Sequence, residues 1–366
     1  MKTQISGLIY QKQDGFKENF KFSSLLFWFL LISFLGLAAL LSLGSKSDFF
    51  REFGSYEFLK SFIQGEDSFT KIIFPFFKFF ILITPLFLFT AIELNRKIGG
   101  FPNSSLGRIS TSEGFKFADI WYFLIKTISS QFLFITTFTT LGISNISSTF
   151  SELISDIYNK VLPPTNSEFQ AVLIVISGIL ISDLVSYFSH RIAHRIPLLW
   201  DLHEFHHSAT EMTILSNYRI SQILAAINSI IFLPLSALSS LFLLKTLSQS
   251  YVLPFVIYVI YNAFFAFQQN LAHSSIKIIY PKIVSYVFMS PSIHWLHHST
   301  NENHYDCNFG NVFSFWDRLF NTYLDESNIE DIEGFGIENT EYNKHHPIYS
   351  YTFLPIIKIL KRLKIA

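Results

Sequence analysis

The chain alternates long apolar stretches with shorter polar connections. A helix needs about 20 apolar residues to cross the hydrocarbon core of a bilayer, and six stretches come close to that length. They are Phe22–Leu43, Ile72–Leu94, Ile120–Ile143, Phe169–Ser189, Ser221–Leu244 and Ser250–Asn270. We therefore predict an all-α, polytopic membrane protein with about six transmembrane helices. The alternative, a soluble protein with buried core helices, fits this repetition less well.

The distribution of Lys and Arg predicts how these helices are oriented. With six spans, nineteen Lys and Arg residues fall on the side of the N-terminus and six on the opposite side. Positive residues concentrate in cytoplasmic loops, so both termini are predicted to be cytoplasmic. The third stretch is the weakest of the six because it contains Lys126 and several hydroxyl side chains. Without it the asymmetry of charge is lost.

Composition supports a membrane location and gives no sign of a nucleic acid partner. Hydrophobic residues make up 50% of the chain and charged residues 15%, against about 25% charged in soluble domains. The formal net charge is zero, and no basic stripe is interleaved with aromatic residues, so no nucleic acid partner is expected. The single cysteine, Cys307, excludes an internal disulfide. We interpret it as a small buried residue.

These patterns divide the chain into three regions. Residues 1–165 hold three predicted transmembrane helices and no histidine, and the polar break VLPPTNSE follows. Residues 166–325 carry the histidine clusters and the last three predicted spans, and they form the predicted catalytic domain. Residues 326–366 end in TFLPIIKILKRLKIA, which we predict to lie on the anionic inner leaflet as a basic amphipathic tail. A disordered basic tail is the alternative.

Nine of the twelve histidines recur at helical spacing. The sets, in chain order, are Asp183, Tyr187, His190 and His194; His203, His206 and His207; Gln269 and His273; and His294, His297 and His298. Within each set the intervals are mostly three or four residues, so each set shares one face of a helix. By the predicted topology, all four sets emerge on the cytoplasmic side and can form a histidine-rich helical cap there.

The number and type of these side chains indicate a metal site. Neutral imidazole is the commonest protein ligand for transition metals. Nine imidazoles exceed what one ion accepts, so two metal ions are predicted. None of the sets contains cysteine, which disfavours a structural zinc site or an iron–sulfur cluster. His345 and His346 lie outside the sets, and we interpret them as ordinary surface residues.

Four segments carry a resemblance to a known family. DLVSYFSHRIAHRIPLLWDLHEFHHS, FQQNLAHSS, SPSIHWLHHS and NFGNVFSFWDRLFNTY together resemble the fatty acid hydroxylase/sterol desaturase superfamily, over residues 183–323. The resemblance implies a non-haem di-iron centre with the metal ligands His190, His194, His203, His206, His207, His273, His294, His297 and His298. Some relatives carry a further histidine at the position of Gln269, and His304 is a candidate additional ligand.

The resemblance also implies a function. Two iron ions, with O2 as co-substrate, would hydroxylate or desaturate a C–H bond of a lipid, with no separate protein acid or base. Candidate partners that orient the ligands are Asp183, Tyr187, Asp201, Asp306 and Asn308, while Trp316–Tyr323 is expected to pack around the site. The chain has no GxGxxG after a strand and no HPGG haem motif. A separate electron donor, a cytochrome- or ferredoxin-type protein with its reductase, is therefore expected.

Two other classes of protein stay open at this stage. The residues HEFHH at 203–207 match the HExxH motif of zinc proteases, in which Glu204 would be the general base. A metal transporter could also line its path with histidines, although transport sites usually lie near the middle of the membrane. Within the oxidases, sterol, fatty-acyl or sphingolipid, and ether-lipid substrates all remain open, as does the oligomeric state.

Overall fold

The structure, a computed structural model, describes residues 91–94, 100–111, 117–128, 167–232, 235 and 252–364. All of them belong to one compact unit, Arg51–Ala366. Several predicted features lie outside the described residues: Phe22–Leu43, nearly all of Ile72–Leu94, the second halves of Ile120–Ile143 and Ser221–Leu244, and most of the break VLPPTNSE.

The described part of the chain is helical, with two isolated β-bridges and no strand. Its helices, in chain order, are α1 (Gly100–Asn103), α2 (Ser105–Thr111), α3 (118–128), α4 (Glu168–Arg195), α5 (Pro197–His207), α6 (Gln222–Ile231), α7 (Val252–Ala272), α8 (Lys282–Ser285), α9 (Pro291–His297), α10 (Phe315–Leu319), α11 (Pro347–Thr352) and α12 (Leu354–Arg362). The all-α class predicted from the sequence is therefore confirmed for these residues.

Helix α4 is long because both of its ends are defined by local chemistry. The side chain of Ser167 caps the first turn and accepts a hydrogen bond from the backbone N–H of Gln170 at 3.3 Å. The helix stops at Arg195 because Pro197 disfavours helical backbone at the residue before it, and Ile196 is extended. Among the described residues, α4 is the one helix long and apolar enough to cross a membrane.

Three other predicted spans are described in part. Helix α3 covers the beginning of Ile120–Ile143, and α7 coincides with Ser250–Asn270 to within two residues. Helix α6 opens the stretch Ser221–Leu244 but ends at Ile231. In the sequence, Pro234 follows three residues later, and proline is a residue type that disfavours continuation of a helix. The number of transmembrane helices stays a prediction.

Helix α5 carries the second histidine box and packs on both sides. Pro197 opens it at the first helical position, where the missing N–H has no helical partner in any case. On one side Leu202 packs with Leu224 of α6. On the other side the ring of Phe205 makes an edge contact with Tyr122 of α3, with centroids 4.7 Å apart. The box helix is thereby held between two predicted membrane spans.

A buried ion pair joins the region before the boxes to the end of α5. Arg219 is 1% exposed, and its Nε donates to Asp119 Oδ1 at 2.6 Å. Its Nη1 donates to Ser208 Oγ at 2.8 Å and to Asn343 Oδ1 at 3.0 Å. A charge pair this deeply buried costs stability unless its polar atoms are hydrogen-bonded. The guanidinium of Arg219 donates the three hydrogen bonds just described. The pair therefore fixes the end of α5 relative to α3.

A second buried carboxylate fixes the residues after α7. Glu93 is 1% exposed, and it accepts hydrogen bonds from the backbone N–H and the hydroxyl of both Ser105 and Ser275. Ser275 lies two residues beyond His273. The hydrogen bonds of Glu93 therefore fix the backbone at Ser275, just after His273.

Candidate metal centre

All nine box histidines converge, and they do so as two separate groups. Within each group every residue offers one ring nitrogen, and these nitrogens lie within 4.8 Å of one another. The five-histidine group consists of His190, His194, His203, His207 and His297, and the four-histidine group consists of His206, His273, His294 and His298. The two groups adjoin, since the rings of His207 and His298 stack with centroids 4.3 Å apart.

Each HxxHH box is divided between the two groups in the same way. At about 100° per residue, His207 lies about 40° from His203 around α5, whereas His206 lies about 60° away on the other side. His203 and His207 accordingly belong to one group and His206 to the other. The box on α9 is divided in the same way, but with the groups exchanged. His294 and His298 belong to the four-histidine group, and His297 belongs to the five-histidine group.

The spacing of the nitrogens fits direct coordination of an ion. Two ligand nitrogens about 2.1 Å from one ion, at about 90–109° to each other, are about 3.0–3.4 Å apart. In the five-histidine group His194 Nε2 and His207 Nε2 are 3.1 Å apart. In the four-histidine group His273 Nε2 lies 3.2 Å from His206 Nε2 and 3.4 Å from His294 Nε2. These separations match those of ligands that share a metal.

Unpartnered ring nitrogens lead to the same conclusion. Buried polar atoms in native proteins are almost always hydrogen-bonded. Three buried Nε2 atoms of the five-histidine group, those of His190, His203 and His297, have no hydrogen-bond partner. In the four-histidine group the same is true of Nδ1 of His206 and of His298. A metal ion in the five-histidine group would satisfy its three atoms, so the residues present fit a metal centre.

Backbone carbonyls set the orientation of three of the rings. Nδ1 of His190 lies 2.9 Å from the carbonyl oxygen of Phe309, and Nδ1 of His297 lies 2.7 Å from that of Cys307. Nδ1 of His273 lies 3.0 Å from the carbonyl of Gln269. A carbonyl oxygen only accepts, so each Nδ1 carries the proton and each Nε2 keeps its lone pair for a metal.

The loop that presents two of these carbonyls has an unusual backbone. Asp306 and Asn308, on either side of Cys307, have φ of 59° and 54°, a conformation that Asp and Asn tolerate better than most residues. The side chain of Asn308 locks the loop, since its Oδ1 accepts from the N–H of Leu324 at 2.9 Å. Its Nδ2 donates to the carbonyl of Ile293 at 3.3 Å. Asn308 thus acts on the loop and not on an imidazole.

Asp317 supports the same loop and was missed by the sequence analysis. It is fully buried, and its carboxylate accepts from the N–H of Phe309 at 2.7 Å and of Gly310 at 2.8 Å. Gly310 is required there, because a Cβ would lie 2.8 Å from Asp317 Oδ2 and 2.5 Å from the carbonyl of Phe313. The available signal was Asp317 itself, an acidic residue between Trp316 and Arg318 in the fourth segment that carries the family resemblance.

Two polar residues of α4 attach that run to the helix. Asp183 is buried, and its carboxylate accepts from Trp316 Nε1 at 3.0 Å. The hydroxyl of Tyr187 lies 2.8 Å from Thr322 Oγ1, which donates to Asp317 at 2.7 Å. Both expected partners of the ligands therefore act on residues 316–322, and Tyr187 is connected to Asp317 through Thr322. The prediction that Trp316–Tyr323 packs around the site describes its position well.

The other expected partners lie in different places. Asp306 comes within 3.9 Å of His194 Nδ1 and also pairs with Arg195 at 3.2 Å. Asp201 points the other way, because its carboxylate is bound by the guanidinium of Arg362, with Nη2 at 2.7 Å. Of the expected carboxylate partners, Asp306 is therefore the one that contacts a box imidazole directly.

The carboxylate of Glu204 is engaged by other residues and not by the imidazoles. Its Oε1 accepts from Thr340 Oγ1 at 2.6 Å, and its Oε2 pairs with Lys358. Helical geometry gives the reason, since position 204 is about 100° around the helix from His203. A carboxylate held in this way by a lysine and a threonine is not placed as a general base.

The remaining candidates lie outside both groups. His304 is buried, and its Nδ1 lies 3.0 Å from Ser299 Oγ. Gln269 contributes its backbone carbonyl to His273. His345 and His346 are exposed. Cys307 is buried as expected, and burial raises the pKa of its thiol to about 12.

The electrostatic environment keeps these imidazoles neutral. Burial, followed by repulsion between neighbouring rings, lowers the pKa of the box histidines outside α4, and the pKa of His273 falls to about 4. Since metal ligation requires the unprotonated ring, the groups are ready to bind cations at neutral pH. The arrangement can hold two adjacent ions in all-nitrogen surroundings.

Comparison with known proteins now adds a family. Residues 175–322 match the sequence model of the fatty acid hydroxylase family. The histidine-box region is therefore similar to members of this family. The match contains all nine box histidines and Asp317, and it ends at Thr322. The resemblance drawn from the four segments is thereby confirmed.

Curated relatives of the fatty acid hydroxylase region are lipid-modifying enzymes. Alkylglycerol monooxygenase from Caenorhabditis elegans is 28% identical over 167 residues, which is 46% of this chain and 30% of the relative. The Homo sapiens protein of the same name is 28% identical over 175 residues, 48% and 33% of the two chains. Ornithine lipid hydroxylase OlsE from Rhizobium tropici is 26% identical over 155 residues, 42% of each chain.

The match to these relatives is partial. This chain spans about a third of the length of the alkylglycerol monooxygenases. No solved structure matches the chain significantly.

Proposed function

We propose that this chain is a membrane-bound oxygenase that uses two iron ions and O2 to hydroxylate a lipid. One observation carries the proposal. Two adjoining groups of five and four imidazoles lie at the carboxyl end of an apolar helix long enough to cross a membrane. The nitrogen-only ligand sets suit iron among other transition metals, and the family match favours iron.

The residues of the chain would bind and orient the metals. The five-histidine group would hold one ion and the four-histidine group the other, and the carbonyls of Cys307, Phe309 and Gln269 would fix three of the rings. Bound iron would supply the activation of O2 that an unreactive C–H bond requires. Asp317 and Asn308 would keep the loop 306–310 rigid, so that the ligands stay in position.

The four-histidine group is one imidazole smaller, and Gln269, four residues before its member His273, stands in a position that some relatives fill with histidine. We propose that the four-histidine group keeps at least one coordination position for solvent. Positioning of the substrate next to the ions would decide between hydroxylation and desaturation. The names of the relatives favour hydroxylation, and an alkyl ether lipid is the first substrate class to test.

We further propose the membrane topology that the charge distribution predicts, with both termini and both histidine groups in the cytoplasm. A lipid would then enter from the bilayer, and a cytochrome- or ferredoxin-type donor would deliver electrons from the cytoplasm. Reporter fusions after Ser208 and at Ala366 should both be cytoplasmic, and a fusion at Asn166 external. Reporters after Ser208 and at Ala366 on opposite sides would contradict this topology.

The two alternative classes are less well supported. A zinc protease needs Glu204 free to activate water, whereas its carboxylate is engaged by Lys358 and Thr340. A transporter would place its ligands along a path through the spans. Here the ligands lie on α5 and α9 and at the ends of α4 and α7.

The proposal is tested on the purified full chain. After reconstitution with ferrous iron in lipid nanodiscs, elemental analysis should give close to two ions per chain. Alkylglycerol, fatty-acyl and sterol lipids are then supplied with O2 and a reductant, and the products are identified by mass spectrometry. Full activity with one ion per chain would contradict the two-metal centre. Cleavage of peptides without oxidised lipid would contradict the oxygenase.

A further inference from the structure

The last helix, α12, turns its charged side towards the protein. Lys358 pairs with Glu204, and Arg362 pairs with Asp201. Leu354, at the start of the helix, is 1% exposed. Both acidic partners belong to α5, the helix that carries the second histidine box. Two of the four cations near the end of the chain therefore bind protein carboxylates.

The opposite side of α12 is apolar and uncovered. Phe353, Ile356 and Leu363 are 56%, 45% and 51% exposed, and Leu360 is half-buried. At about 100° per residue these positions share one face of the helix, opposite the two ion pairs. We call them the outer face. The exposed residues Lys361 and Lys364 flank it.

Such an orientation is the reverse of that expected for a helix on the surface of a soluble protein, where polar residues point outwards. Burying the outer face would remove four large apolar side chains from water. Its two flanking lysines would at the same time keep their charges at the edge of whatever covers it.

The position of α12 indicates what that covering is. Ile359 packs against a buried cluster that contains Ala193, near the end of α4, and Leu224, in the first turn of α6. Helix α4 is the apolar membrane-length helix, and α6 begins a predicted span. The helix therefore lies where two apolar helices reach the polar cap. Ile230, on α6, is a further exposed apolar residue, with 74% of its surface accessible.

We propose that the outer face of α12 is seated in the cytoplasmic leaflet of the bilayer, with Lys361 and Lys364 at anionic phospholipid headgroups. The ion pairs on its other side then connect a lipid-bound helix to the helix that presents His203, His206 and His207. Apolar area and lysine charge together are what an interfacial helix requires. This inference rests on the proposed membrane topology but not on the proposed reaction.

Fluorescence quenching by lipid tests the proposal. The full chain, with Cys307→Ala, is labelled with bimane at Ile356→Cys and placed in nanodiscs whose phospholipids carry bromine on the acyl chains. Ile230→Cys, on the predicted span, is the positive control, and the exposed loop position Glu338→Cys is the negative control. Quenching at 356 should be about two-fold or more greater than at 338. Replacing both flanking lysines with glutamate should reduce it when phosphatidylglycerol is present.

The outcomes are distinguishable. Quenching at 356 equal to that at 338, while 230 remains quenched, would overturn the inference and leave the topology intact. Absence of quenching at 230 would overturn the topology and the inference with it. Disulfide formation between two chains at 356, with no quenching by lipid, would show that a second copy covers the outer face and would also overturn the inference.

Discussion

The five-histidine and four-histidine groups use the same kind of ligand but are supported differently. The five-histidine group draws on α4, α5 and α9, and the loop 306–310 supports two of its rings while Asp306 approaches a third. The four-histidine group draws on α5, α7 and α9, and the described contact that orients one of its rings is the carbonyl of Gln269. We infer that the five-histidine group is the more rigid site and the four-histidine group the more exchangeable one.

The largest expected effect distinguishes a ligand from its neighbour in the sequence. His206→Ala removes one of four imidazoles, so we expect loss of lipid oxidation and of one ion per chain. Glu204→Gln removes a partner of Lys358 and should lower activity by about 10-fold at most. Product formation and metal content are measured for both variants. An inactive Glu204→Gln beside an active His206→Ala would contradict the oxygenase and favour the protease.

A smaller and more selective effect is expected at Asp317. Asp317→Asn replaces one of two acceptors with a donor, opposite two backbone N–H groups, and should loosen the loop that orients His190 and His297. We expect the affinity of the five-histidine group for metal to fall about 10- to 100-fold. The four-histidine group should be nearly unaffected.

Chelator titration with two resolved phases of metal release measures this difference. Asp331→Asn, an exposed position, is the matched control, and it should leave both phases unchanged. An equal loss from both phases would contradict the separate support of the two groups.

The convergence of the candidate metal ligands was predictable from the sequence, and so in principle was their division within a box. Relative to residue i, the residue at i+4 is rotated about 40° in one direction and the residue at i+3 about 60° in the other, which separates His206 from His207 on one helix face. The way in which α5 and α9 face each other decides which group receives the i+3 histidine of each box. That is a property of tertiary packing, and no spacing in the sequence encodes it.

The supporting residues were harder to predict for a physical reason. Phe309 and Cys307 act through backbone carbonyls, which every residue possesses, so their side chains carry no signal. Asp201 was expected near an imidazole because it is close to His203 in sequence. Arg362, which is far away in sequence, determines where its carboxylate points. Asp317 supports the site only through its hydrogen bonds to the backbone of Phe309 and Gly310, and these contacts depend on how the loop folds.

A further expected effect concerns pH and the metal-free protein. Burial lowers the folded-state pKa of His273 to about 4, whereas the unfolded chain takes up this proton below about pH 6.5. The unfolded state thus binds more protons in this window, and the free energy of unfolding should fall as pH drops from 6.5 to 4. The imidazole of His273 alone would lower the free energy of unfolding by about 3 kcal/mol at the acid end of this pH range.

The midpoint of thermal unfolding of metal-free protein, followed between pH 8 and pH 4, measures this loss. His273→Gln should show a smaller loss between pH 6.5 and 4, while both proteins should be insensitive to pH above 6.5. Identical pH profiles would contradict a buried, neutral His273.

The adjacency of His206 with His207, and of His297 with His298, has a consequence for how such a centre can change. In both pairs the neighbouring residues serve different groups, and successive Cα atoms are about 3.8 Å apart by covalent geometry. If each group holds one ion, the separation of the two ions would be tied to the length of a peptide unit in two helices at once. Deleting or inserting one residue in α5 or α9 would exchange ligands between the ions.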